Sequence, residues 1–261
     1  MAYNNTKAVK DFPDLLDEFK KKSAVLYKNA NVKKDIHYHL APRTRFDYFS
    51  AGKKGNPTFI FIHGGYWQNC NKDDFAFIAE GILNSGIDVI LAEYTLAPKA
   101  SMTQIVNEIH KLLNYLETNY DKFNLVKGAI CLGGHSAGGH LTAVHRSHPL
   151  ISHSMPISAL VDLIPISLCW LNEKLRLTPE EIKNYSPINH ITKGGPTHVH
   201  VGGRELPELI RHSNDYFNKL SEAGENALYQ TIGNYDHFTQ LNEFINKDGV
   251  LVKSLKSLLL K

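Results

Sequence analysis

Cysteine is scarce in this chain of 261 residues: Cys70, Cys131 and Cys169 are odd in number and widely spaced. That fits reduced thiols better than a disulfide framework, with Cys131, set in an apolar run, reading as core. Also missing is any stretch near the roughly 20 apolar residues that a membrane-spanning helix needs. The opening MAYNNTKAVKDFPDLLDEFKKKSAV lacks the apolar centre of a signal peptide, so cytoplasmic placement is expected. Charge of one sign does not dominate either: 29 Lys and Arg face 26 Asp and Glu, a formal charge of +3. Such a balance gives no footing for nucleic acid or an anionic membrane surface, and small-molecule chemistry is the expectation. Internal repeats and low-complexity tracts are absent.

What is present is 43% hydrophobic and 21% charged residues, enough to bury a sizeable core in one domain over 1–261. Short apolar runs at 58–62, 87–92, 127–134, 154–160, 197–203 and 227–232 read as strands. Between several of them lie helix-length segments. The clearest is 102–118, where Met102, Ile105, Val106, Ile109, Leu112, Leu113 and Leu116 share a face and Ser101 with Gln104 makes a capping box. Strand and helix in alternation, with strands apolar on both faces, predict an α/β fold: a mainly parallel central sheet with helices on both faces. Residues 1–50 read as an N-terminal extension, a helix PDLLDEFKKKSAVLYKNA followed by a strand pair around DIHYHL and RFDYFS. Residues 162–195, irregular and holding Pro165, Pro179, Pro187 and KGGP, read as a cap insertion over the top of the sheet.

Gly134-His135-Ser136-Ala137-Gly138 matches G-x-S-x-G between an apolar run and a helix. A strand-to-helix turn this sharp leaves room only for small neighbours, and it presents the serine hydroxyl at a helix N-terminus that favours developing negative charge. A hydroxyl becomes a nucleophile only when a base takes its proton, and the base needs an acid to orient it. Glu205 and His237 each follow a strand and come in the order such folds use, which makes Ser136, Glu205 and His237 the candidate triad, with Glu208 the rival acid. The stretch FIFIHGGYWQ, Phe59 to Gln68, ends a buried strand on two glycines. Glycine lets main chain come close to a substrate oxygen, so the amides of Gly64, Gly65 and Tyr66, with that of Ala137, are expected to form an oxyanion hole. His63 is expected to brace this loop. Tyr66 and Trp67 are expected to wall the substrate pocket, with Asn184, Tyr185 and Ser186 as further pocket residues from the insertion.

The pairs His37 and His39, and His198 and His200, each place two rings on one strand face, but no third ligand follows at metal spacing, so neither a metal nor another cofactor is expected. The run Lys20 to Lys22 reads as the solvated face of the first helix. A homodimer, the commonest assembly of soluble enzymes, is the default expectation for the oligomeric state.

HGGYW, GHSAGG, EYTLAP (Glu93 to Pro98) and a late DHF together resemble the HGG-bearing branch of α/β-hydrolases. More narrowly, with AYNN near the N-terminus and GRELPELIRHS at Gly203 to Ser213, the chain is similar to the arylformamidases, or kynurenine formamidases. The resemblance implies an α/β-hydrolase fold and metal-free hydrolysis of N-formyl-L-kynurenine to L-kynurenine and formate in tryptophan breakdown. It carries the catalytic roles onto Ser136, Glu205 and His237. Two alternatives remain at this point: a short-chain carboxylesterase with the same triad, and a hydrolase-fold protein that binds a ligand without catalysis.

Overall fold

The computed structural model describes residues 2–260. Runs that are apolar at every position need cover on both faces, and they form the middle of an eight-stranded sheet. In chain order the strands are β1 (Val32–His37), β2 (Arg45–Phe49), β3 (Thr58–Ile62), β4 (Asp88–Ala92), β5 (Ile130–His135), β6 (His153–Ile157), β7 (Thr197–Gly202) and β8 (Ala227–Ile232). Their spatial order is β1-β2-β4-β3-β5-β6-β7-β8. From β4 through β3 to β8 all neighbours are parallel, while β2 joins both β1 and β4 antiparallel. This is the α/β-hydrolase architecture.

The two-residue period of a strand sends successive side chains into separate cores. Ile60, Ile62, Ile90 and Ala92 join the core under the helix Met102–Thr118. Phe59, Phe61, Val89 and Leu91 face the opposite core, closed by the C-terminal helix Val250–Leu259 and by Phe19 of the N-terminal helix. Several expected elements agree residue for residue, among them β3, β8 and the helix 102–118 with its Ser101–Gln104 capping box.

The first strand is displaced from its expected place around residues 35–40. Asp35 takes a left-handed conformation (φ 55°) because its N–H bonds the buried Asp47 carboxylate at 2.7 Å, and the β1/β2 register shifts there. Pairing therefore runs from Val32, and Tyr38 beyond the strand turns inward to donate to the Glu93 carbonyl at 2.8 Å.

Two segments cover the C-terminal ends of the parallel strands. The N-terminal helix Phe12–Asn29 lies against the 3-10 turn Lys72–Ile78. Ser23 Oγ donates to the Asp74 carbonyl at 3.0 Å and accepts from the Phe77 amide at 3.1 Å, while Phe19 stacks on Phe77 at 4.4 Å. Within 162–195, three short helices, Ile164–Ser167, Asn172–Leu175 and Pro179–Asn184, carry Trp170 toward Tyr66. Among the described residues, no helix is long and apolar enough to cross a membrane.

Candidate active site

Each candidate residue lies just past the C-terminal end of a strand: the Gly64–Tyr66 loop after β3, Ser136 after β5, Glu205 after β7 and His237 after β8. Open α/β sheets place their ligands at this edge. At the serine the chain passes straight from β5 into the helix Ala137–His145, with Ser136 held at φ 58° and its amide bonded to the Ile157 carbonyl at 2.8 Å. Only a close approach of backbones allows the turn. A Cβ on Gly138 would sit 1.9 Å from the Ile62 carbonyl oxygen, and one on Gly134 would lie 2.4 Å from the oxygen of Gly138.

His237 Nδ1 and Glu205 Oε2 are 2.6 Å apart, both side chains buried. The Glu205 carboxylate is saturated with donors: the Gly202 amide at 2.8 Å, Gln240 Nε2 at 2.6 Å and the Ser158 hydroxyl. Burial alone would raise its pKa, but the His237 ring and these donors outweigh that and hold it below the ordinary carboxylate value. Glu208, the rival acid, is turned away; it accepts from Arg211 at 2.7 Å and from the Tyr3 hydroxyl at 2.8 Å. With Nδ1 bound to Glu205, the nitrogen left to take a proton is His237 Nε2.

Ser136 and His237 line one cavity of about 430 Å³, together with Gly65, Tyr66, His135 and Trp170. Among the described residues no hydrogen bond joins the Ser136 hydroxyl to the His237 ring, a contact that commonly tightens only when substrate binds. Next to the serine, the amides of Gly64, Gly65, Tyr66 and Ala137 have no acceptor among the described residues. Donors left unclaimed in a buried place mark a site for an anionic oxygen. Gly65 (φ 112°), Tyr66 (φ 58°) and Trp67 (φ 58°) all have left-handed φ, which shapes this loop.

His63 has the bracing position expected of it: Nδ1 meets the Gly64 carbonyl at 2.7 Å, Nε2 meets Glu93 at 2.9 Å, and the ring stacks on Tyr94 at 4.6 Å. Arg43 donates to the same Glu93 oxygen, Oε1, at 2.6 Å. The Tyr66 hydroxyl accepts from the Asn5 amide at 2.9 Å, so the N-terminal AYNN segment clasps the same loop.

Four expected pocket residues, Trp67, Asn184, Tyr185 and Ser186, need correction. Trp67 does not wall the cavity: its left-handed φ swings the indole into the core, where it is fully buried and meets the His140 ring edge-on at 5.1 Å. Tyr185 lies outside the Ser136 cavity as well. It ends the helix Pro179–Asn184, its carbonyl accepts from His140 Nε2 at 2.7 Å, and it lines a separate depression with Asn184. Ser186 is buried, donating to the Ile182 carbonyl at 2.7 Å. The roof over the serine comes from the N-terminal helix instead, through Phe12, Leu16 and Phe19, with Trp170 from the insertion.

Sequence reasoning missed Ser158, Gln240 and His135. The first two hold Glu205, and His135 Nε2 donates to the His237 carbonyl at 2.7 Å. Burial, with the neighbouring His237, lowers the pKa of His135 to about 3, so the ring is a neutral donor. Its place inside G-x-S-x-G was the available signal. His198 and His200 are both engaged by Ser254 Oγ, each at 2.8 Å.

The family described as BD-FAE matches residues 48–148. The kynurenine formamidase of Danio rerio is 27% identical over 237 residues, covering 85% of this chain and 80% of that protein. That of Salmo salar is 28% identical over 214 residues, covering 76% and 71%. Over most of its length the chain is thus similar to proteins named kynurenine formamidase, and its fold is that of the α/β-hydrolases. This hydrolase also superposes on a Silicibacter sp. TM1040 protein with a TM-score of 0.88, at 23% identity over 98% of this chain and 97% of the other. A Pyrobaculum calidifontis esterase shares the fold at a TM-score of 0.76 and 20% identity, over 95% and 92% of the two chains.

Proposed function

We propose that this hydrolase cleaves N-formyl arylamines, N-formyl-L-kynurenine first among them, through a Ser136-His237-Glu205 triad. The observation that carries the reading is the 2.6 Å Glu205–His237 contact on the cavity of Ser136, beside amides with no acceptor. Relatives named kynurenine formamidase over most of the chain support the choice of substrate.

In this mechanism His237 Nε2 takes the Ser136 proton as Oγ bonds to the formyl carbon. The carbonyl oxygen becomes an oxyanion held by the amides of the Gly64–Tyr66 loop and Ala137. Glu205, kept ionised by its donors, stabilises the imidazolium and fixes its orientation. The proton then passes from His237 to the arylamine nitrogen as the C–N bond breaks, because an arylamide anion leaves badly. Water, deprotonated by the same imidazole, attacks the formyl-Ser136 ester. Formate departs and the serine is restored.

Short-chain ester cleavage would use the same groups, and a relative named esterase, 29% identical over 140 residues, makes it the reading to test against. Turnover of N-formyl-L-kynurenine and of p-nitrophenyl acetate, measured in parallel, separates the two. Formamide cleavage at a kcat/KM at least equal to that of the ester is expected. Rapid ester turnover with no formamide cleavage overturns the proposal.

A further inference from the structure

Lys20, on the solvated face of the first helix as expected, also lines the Ser136 cavity. It shares one helix face with Phe12, Leu16 and Phe19, the residues that roof the nucleophile. The same cavity is lined by Asp74, from the 3-10 turn that Ser23 pins to this helix. Histidines aside, these two are the charged side chains of the lining among the described residues. Both sit near the Cys70 thiol, which feels them in opposite senses.

Neither charge is fully used. Among the described residues the Lys20 ammonium pairs only with Asp17, at 3.7 Å in a half-exposed pair, an interaction of little strength that a ligand can replace. Asp74 Oδ2 accepts from the Asn71 amide at 2.9 Å, whereas Oδ1 has no partner among the described residues. Phe12, Phe75 and Phe238 supply aromatic walls to the same cavity. One cation and one anion beside an aromatic slot complement an aryl body that ends in an α-amino acid zwitterion.

We propose that Lys20 and Asp74 are specificity-determining residues that read the amino-acid head group of the substrate, Lys20 pairing with the α-carboxylate and Asp74 Oδ1 accepting from the α-ammonium. This rests on the formamidase reading of the site and narrows it from arylformamides in general to those bearing an amino acid.

The test is calorimetric binding of L-kynurenine and of kynurenamine, the same arylamine without the carboxylate, to the full chain. The wild type is expected to bind L-kynurenine about fivefold more tightly, the scale of a partly exposed ion pair. That ratio should fall to about one in Lys20→Met and reverse in Lys20→Glu, the scale again being that of one ion pair. Asp74→Asn should weaken both ligands alike, since both keep the ammonium. Equal affinities in the wild type, or a ratio that both Lys20 variants preserve, overturns the role of Lys20; unchanged binding in Asp74→Asn overturns that of Asp74. Should the ratio hold while N-formyl-L-kynurenine is not turned over, the formamidase reading fails and head-group recognition stands.

Discussion

At the scale of single residues, Glu205 and Glu208 lie three positions apart and are opposites. The first is buried with its carboxylate filled by His237, Gly202, Gln240 and Ser158; the second is tied to Arg211 and Tyr3. In the proposed mechanism Glu205→Gln removes the charge that stabilises the imidazolium, and it is expected to lower kcat/KM by about a thousandfold or more. Glu208→Gln should stay within about threefold, as expected for a surface ion pair. Steady-state kinetics on both variants checks this, and a Glu208→Gln loss equal to that of Glu205→Gln would reverse the assignment. The sequence left the two acids unresolved because what separates them is distant: Ser158 stands 47 positions before Glu205, and Gln240 stands 35 after it. Ser136 was legible because its constraint is local, a turn that tolerates only small neighbours.

The strand-to-helix elbow decides the outcome at the scale of elements. Gly138 lets the helix Ala137–His145 press against the end of β3, where a Cβ would meet the Ile62 oxygen at 1.9 Å and that of His63 at 2.6 Å. Both are backbone atoms that cannot swing aside, so Gly138→Ala is expected to cost about 3 kcal/mol or more. Gly52→Ala, at φ +93° with nothing within 4 Å, carries backbone strain alone, about 1–2 kcal/mol. Thermal unfolding of the pair measures the difference, and equal Tm values would contradict the close packing. Central strands and the helix 102–118 could be read because their apolar period is strong. The first strand could not be placed, because a side chain on the next strand, Asp47, bends it at Asp35. Trp67 misled for a related reason: after two glycines an aromatic suggests a pocket wall, but its direction depends on a left-handed φ that composition does not reveal. The roof by the N-terminal helix was equally hidden, since its partner is the turn Lys72–Ile78, far along the chain.

The whole molecule carries an unusual load of buried histidine. Burial pushes the pKa down to about 3 in His135 and His200 and to about 4 in His140, His145 and His212. Unfolded, each returns to about 6.5. Above that pH both states are neutral and the full stability is present. Below it the unfolded chain takes up protons that the folded one refuses, so stability falls as pH drops from about 6.5 toward 4, by about 1.4 kcal/mol per pH unit for each such histidine. Five of them acting together can remove most of a typical domain stability of about 5–15 kcal/mol by about pH 5. Urea midpoints at pH 7.5, 6 and 5 should decline steeply; a flat profile would mean that these rings are hydrated or charged in the folded state.

The same assembly of sheet, N-terminal roof and insertion serves to enclose one hydroxyl beside an imidazole and a set of free amides. The most direct test is kcat/KM for N-formyl-L-kynurenine, in the presence of a chelator, for the wild type and for Ser136→Ala. Turnover that withstands the chelator and falls by about a thousandfold or more in the variant is predicted for a serine nucleophile. A variant that keeps activity within about tenfold of the wild type would contradict the account, because the proposed mechanism routes acyl transfer through the Ser136 oxygen.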